Sequence, residues 1–304
     1  MQNSKSATQS RWPPAKSAGE FLIGNDLRVT RLGFGAMRIT GNGIWGAPTD
    51  RDEAVQVLRR AVELGIDFID TADSYGPQVS EEIIAEALYP YPAQLVIATK
   101  GGFERPGPNR WVENGRPEHL RSACEGSLRR LRLDRIDLYQ LHRIDPRVPA
   151  EDQLGTLKDL QAQGKIRHIG LSEITVRQIR HAQTIVSIVS VQNRYNLADR
   201  GSEDVLEYCE KRNIGFIPWF PLGAGKVSAV DSPLSRSSTV EGYSIPSGSG
   251  MAARTISRDA ANPGNFERRT SRRKRRGCRL EDRQKQNART GSHRVDTLGR
   301  YEAP

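Results

Sequence analysis

The sequence predicts an α/β fold of the (β/α)8 TIM-barrel class, incomplete after its seventh strand. From Val29 to Leu222, short apolar and β-branched runs alternate with segments of helical period. Asp70, Lys100, His142, Ser172, Gln192 and Trp219 stand at the C-terminal ends of those runs, where barrels gather their chemistry. A doubly wound sheet would place a glycine-rich phosphate turn after its first strand, and Gly33-Phe34-Gly35 lacks the third glycine of such a turn.

Phe21–Ile23 and Leu27–Val29 flank Gly24-Asn25-Asp26 and predict a small hairpin. The first barrel strand is expected over Val29–Ile39. It is followed by a helix over Asp52–Leu64, with Asp50 as N-cap, Glu53 three residues on and Gly65 as the stop. The next pairs are Phe68–Thr71 with Ser80–Leu88, and Leu95–Thr99 with Pro117–Leu131, the latter pair separated by a long loop. Ile136–Leu141 with Glu151–Gln163, Ile166–Leu171 with Val176–Gln183, and Ser190–Gln192 with Ser202–Lys211 follow, and Gly215–Trp219 is the seventh strand. Three domains are expected: a polar, Ser-rich leader over residues 1–19, the barrel over 20–226 and a basic tail over 227–304.

The net charge of +10 belongs to that tail. Residues 226–304 carry 17 Lys and Arg against 8 Asp and Glu, whereas residues 1–225 balance to +1. The body is therefore near neutral, and its charge is not that of a nucleic-acid-binding domain. No apolar run approaches the ~20 residues of a membrane span. Cys124, Cys209 and Cys278 are odd in number and lack zinc or redox spacing, which fits a reducing, cytoplasmic setting and no metal site.

Asp70 and Tyr75 lie in Asp67-Phe-Ile-Asp-Thr-Ala-Asp-Ser-Tyr-Gly76, and Lys100 and His142 close the next two strands. Together they are the parts needed to protonate a carbonyl oxygen while a hydride reaches its carbon. A phenol with an ordinary pKa near ~10 is a poor acid at neutral pH. The Lys100 ammonium is expected to lower that value, Asp70 to hold Lys100 charged, and His142 to orient the oxygen. Each residue taken singly also has a plain structural reading: a turn former, a solvated amine, a hydrogen-bonded core histidine. Their joint placement on successive strands favours the chemical one.

These segments, with Ala98-Thr-Lys100, Leu141-His142, Gly170-Leu-Ser172, Val191-Gln192 and Trp219-Phe-Pro-Leu-Gly223, resemble the aldo-keto reductase family from about Phe21 to Lys226. The closest branch resembles bacterial pyridoxal reductases. The resemblance implies a barrel enzyme that reduces small aldehydes or ketones with NADPH. It implies Tyr75 as general acid, Lys100 and Asp70 as its partners, and His142 as substrate orienter. Ser172 and Gln192 would hold the nicotinamide carboxamide, Trp219 would stack on its ring, and the backbone at Leu222 and Gly223 would approach the pyrophosphate. Glu173 stands where the family often has Asn, and a core role for Trp219 is the alternative to stacking. Trp45, Phe103 and Trp111 are candidate walls of a substrate pocket, or else loop aromatics packed on their own loops.

The family's last helices, eighth strand and 2′-phosphate turn have no counterpart in the pattern of residues 226–304. Only ten of those 79 residues are Leu, Ile, Val or Phe, and Arg268–Arg276 is a dense basic run. One reading is a barrel remnant, inactive as an enzyme, with a nucleic-acid-binding arm. The favoured reading is translation out of frame from a point between Ser232 and Ser247. Codons can be chosen over Ser247–Cys278 so that the frame one base on resembles the family's missing segment. Loss of that segment predicts a weakly stable, nearly inactive chain. The gene sequence is expected to permit the alternate frame throughout this stretch, and codons that forbid it exclude the idea.

Overall fold

The computed structural model describes residues 14–221 and the three-residue strand Arg254–Ile256. The expected leader, most of the tail, and Leu222 and Gly223 lie outside the described residues.

A hairpin of β1 (Glu20–Ile23) and β2 (Leu27–Thr30) opens the described chain. β3 (Leu32–Gly35), α1 (Arg51–Glu63), β4 (Phe68–Asp70), α2 (Val79–Leu88) and β5 (Val96–Gly101) follow. A second hairpin, β6 (Phe103–Gly107) and β7 (Arg110–Glu113), precedes α3 (Pro117–Leu131). Then come β8 (Ile136–Leu141), α4 (Ala150–Ala162), β9 (Ile166–Ser172), α5 (Val176–Ala182), β10 (Ser190–Arg194), α6 (Glu203–Lys211), β11 (Gly215–Trp219) and β12 (Arg254–Ile256).

Seven strands, β3, β4, β5, β8, β9, β10 and β11, form a curled parallel sheet in chain order, as the alternation predicted. β12 adds an eighth beside β3, pairing Arg254 with Leu32 and Ile256 with Phe34. Backbone pairing asks little of side-chain type, which is why no sequence pattern marks this strand. No ladder joins β12 to β11 among the described residues, so the sheet is left open at that seam.

Alternation along the strands divides the interior in two. Tyr139, Leu141, Ile169 and Leu171 face the helices and pack with residues such as Leu120, Leu154 and Ile179, and Ile97 packs with residues such as Leu58 and Ile84. Phe68, Val96, Ala98, Leu138 and Ile217 form an inner cluster capped by Phe21, Ile23, Leu27 and Val29 of the first hairpin. That hairpin is a floor at the N-terminal ends of the strands, leaving the opposite rim for chemistry.

The helix starts follow from their caps. The Asp50 side chain accepts from the Glu53 backbone N–H, and Thr175 with Gln178 forms a reciprocal capping box on α5. The expected first strand is shorter than its apolar run, since Ala36–Ile39 tightens into a 3-10 turn after Gly35. The long loop after β5 is largely the β6–β7 hairpin, turned by Asn109 at φ 55°. Its alternation was masked by Pro106 and Pro108, residues that ordinarily mark loops.

Behind the sheet, Glu81 of α2 is fully buried. It accepts the Thr99 hydroxyl of β5 at 2.6 Å and the Arg130 Nε of α3 at 2.7 Å. One carboxylate thus ties two helices to the strand that carries Lys100. Glu81→Ala leaves a mostly buried guanidinium unpaired and is expected to destabilise the fold by roughly 3 kcal/mol. Urea unfolding checks this, and an unchanged midpoint would show the tie to be dispensable.

Candidate active site

Inward-facing positions at the strand ends bring the expected residues together. Lys100 is fully buried at the end of β5; its Nζ lies 2.7 Å from Asp70 Oδ2 and 2.8 Å from the Thr71 carbonyl. The same ammonium donates to the Tyr75 hydroxyl at 3.4 Å and sits 5.1 Å from that ring's centroid. Gln140 and Gln192 each donate an amide N–H to Asp70 Oδ1, at 3.0 and 2.9 Å. Asp70 is therefore the hub of the site, fixed by three strands besides its own.

Tyr75 and His142 face each other edge-on, with centroids 5.8 Å apart. The Ser74 hydroxyl lies 3.3 Å from His142 Nδ1. A ring that accepts the Ser74 proton at Nδ1 carries its own proton on Nε2. Burial holds the imidazole well below its ordinary pKa, and the positive fields of Lys100, Arg143 and Arg105 add to the effect. His142 is therefore neutral near pH 7.

Burial also raises the Tyr75 phenol above 10, against the downward pull of Lys100. The expectation that Lys100 brings the phenol below its ordinary value is thus not met. Desolvation of a buried phenolate outweighs one ammonium whose charge is shared with Asp70. Burial works against the Lys100 charge as well, but Asp70 and then Tyr75 more than offset it, so its pKa is raised. The resting site holds a protonated phenol beside a firmly charged amine.

Phe103 and Trp111 lie beside the Tyr75 and His142 rings. Phe103 lies 4.7 Å and Trp111 6.2 Å from the His142 ring, and Trp111 also stands 6.4 Å from Tyr75. Trp45 is one step removed. It pairs with Gly76 and meets the Arg105 guanidinium at 5.6 Å. It follows Ile44 at φ 54°, a left-handed conformation that a β-branched residue rarely adopts.

Three contributors, and the indole-orienting role of Glu173, escaped sequence reading. Arg105 stacks on Trp111 at 3.6 Å and donates to the Arg110, Ser74 and Gly43 carbonyls, stapling three loops. Arg143 donates to the His142 carbonyl at 2.6 Å and to Ser172 Oγ at 3.1 Å. Glu173, at φ 54°, accepts from the Arg194 N–H and Trp219 Nε1, and so orients the indole. Ser74 is the third contributor. Adjacency to a candidate residue was the one available signal for Arg143, Glu173 and Ser74; Arg105 carried none.

Ser172, Gln192 and Trp219 end three neighbouring strands, and their fit to a nicotinamide can be tested on hydrogen-bonding capacity. Ser172 Oγ accepts from Arg143, and its own proton has no acceptor among the described residues. Gln192 uses its N–H on Asp70, and its carbonyl oxygen has no donor among the described residues. One free donor beside one free acceptor complements a primary carboxamide. Trp219 is half-buried at the end of β11 and belongs to none of the buried core clusters of the described residues.

The profile of the Aldo/keto reductase family matches residues 31–241 of this chain. The chain belongs to the aldo/keto reductase family. It is 51% identical to an uncharacterised oxidoreductase of Schizosaccharomyces pombe, over 74% of this chain and 75% of that protein. It is 42% identical to pyridoxine 4-dehydrogenase of Escherichia coli, over 68% of this chain and 74% of that enzyme. The fold also matches an aldo-keto reductase of Klebsiella pneumoniae solved with NADPH, with TM-score 0.57 and 26% identity. That match covers 69% of this chain and 71% of the other.

Behind Tyr75, Asp73 is buried with Oδ1 unpartnered among the described residues, and burial beside Glu81 pushes its pKa up to about 8. The unfolded chain releases this proton near pH ~4, the folded chain near 8, so this group lowers stability as pH rises between them. Asp73→Asn is expected to flatten that slope, raising the urea midpoint relative to wild type at pH 8 more than at pH 5. Parallel profiles for the two proteins would refute the buried acid.

Proposed function

We propose that this chain carries an NADPH-dependent carbonyl-reductase site acting on small aldehydes or ketones. The observation that carries the reading is the Tyr75 hydroxyl, 3.4 Å from an ammonium that is itself ion-paired to Asp70 and sealed from water. Nicotinamide use is supported by the free donor and acceptor of Ser172 and Gln192 and by the NADPH-bound Klebsiella neighbour.

When bound, the nicotinamide supplies hydride to the carbonyl carbon. Tyr75 gives its proton to the carbonyl oxygen as negative charge develops there, and the product is an alcohol. Lys100 stabilises the phenolate left behind, its charge kept in place by Asp70. Neutral His142 donates from Nε2 and fixes the oxygen in reach of the phenol. Phe103 and Trp111 exclude water on that side. Pyridoxal-like aldehydes are one candidate class, suggested by the E. coli relative.

Ser172, Gln192 and Trp219 would grip the nicotinamide end, and Leu222 and Gly223 the pyrophosphate. Residues 226–304 supply no recognisable 2′-phosphate turn, so affinity for NADPH is weak and activity low. Each lost charge-assisted contact costs about 1.5–3 kcal/mol, so two or three shift the Kd by several powers of ten.

Tyr75→Phe is expected to lower aldehyde-dependent NADPH oxidation by about 10²–10⁴-fold while leaving quenching of tryptophan fluorescence by NADPH in place. Lys100→Met should act similarly on turnover. Retention of wild-type turnover by Tyr75→Phe would remove the phenol from the proposed role.

A further inference from the structure

Resting on the carbonyl-reductase reading, we infer that Arg143 is a specificity residue that selects carbonyl substrates that also bear a carboxylate. Arginines buried to this degree are ordinarily paired with carboxylates. Arg130 follows that rule, held by Glu81. Arg143 does not. No carboxylate oxygen lies within ion-pair distance of it among the described residues, though the fields of Glu173 and Glu113 reach it.

Its hydrogen bonds are one-sided. Nη1 serves the His142 carbonyl and Ser172 Oγ, which pins the guanidinium at the rim of the site. The Nε–Nη2 edge makes no hydrogen bond among the described residues, and neither atom is among the sealed polar atoms that lack a partner. Two parallel N–H groups on one edge are the complement of a carboxylate. The guanidinium lies 5.5 Å from the Phe103 ring, which in turn packs on His142. Cation, aromatic wall and proton donor thus line one surface.

Arg105 is the internal comparison. Each of its three nitrogens donates to a backbone carbonyl, so no edge of the guanidinium is left with both N–H groups free, and it braces loops. A short substrate with its carbonyl at Tyr75 and His142 would meet Arg143 a few bonds away. The positive charge that lowers the His142 pKa would then be neutralised by the substrate itself, an arrangement in which the ligand completes the electrostatics of the site.

The test uses the full chain with 4-formylbenzoate and its methyl ester, which differ in charge at one end. Wild type is expected to favour the carboxylate about 10- to 100-fold in kcat/KM, mostly through KM. Arg143→Met should bring that ratio near one, and Arg143→Lys should keep part of it. A ratio unchanged in Arg143→Met overturns the inference while ester turnover upholds the reductase reading. If neither aldehyde is reduced, the reductase reading fails, and tryptophan quenching by 4-formylbenzoate decides the binding claim alone. About tenfold weaker binding in Arg143→Met sustains it, and equal binding overturns it.

Discussion

The buried pair of Lys100 and Asp70 is the constraint around which the site is arranged. An ammonium with no exposed surface stands only because a carboxylate lies 2.7 Å away and a backbone carbonyl takes a second proton. Two charges out of water stabilise little in net terms, and removing either partner is severe. The pair therefore contributes position more than stability. Gln140 and Gln192 complete the Asp70 oxygens, so strands β4, β5, β8 and β10 meet at one carboxylate. Displacing any of these strands moves the ammonium that faces Tyr75.

Charge and burial oppose each other at Tyr75 and Lys100 and act together at His142. Burial keeps Tyr75 protonated and His142 neutral, whereas Asp70 keeps Lys100 charged. These states suit a proton donor, a neutral orienting ring and a fixed cation. The difference between Tyr75 and Lys100, both buried, lies in the one close carboxylate.

The curled parallel sheet and the grouping of Asp70, Tyr75, Lys100 and His142 were legible because both rest on local signals: alternation of apolar runs, and polar residues at strand ends. Phe103 and Trp111 stand beside His142, on a hairpin that was hidden by its prolines. Arg105, Arg143 and Glu173 could not be read, since their roles depend on which carbonyls and rings come near after folding. The direction of the Tyr75 shift was misjudged for a related reason: neighbouring charge shows in a sequence, but depth of burial does not. Strand β12 escaped because main-chain pairing leaves no mark on side-chain pattern.

The β6–β7 hairpin pairs only with itself and is fastened to the barrel by Arg105, yet it supplies Trp111 and the Phe103 end of the wall. In the proposed reading, chemistry and selectivity are thereby carried on separate pieces of chain. Insertions or replacements within this hairpin can redraw the substrate wall while the Asp70 hub stays untouched. Divergence among relatives that share the quartet should accordingly concentrate here, and a transplanted hairpin is the natural unit for exchanging substrate preference between them.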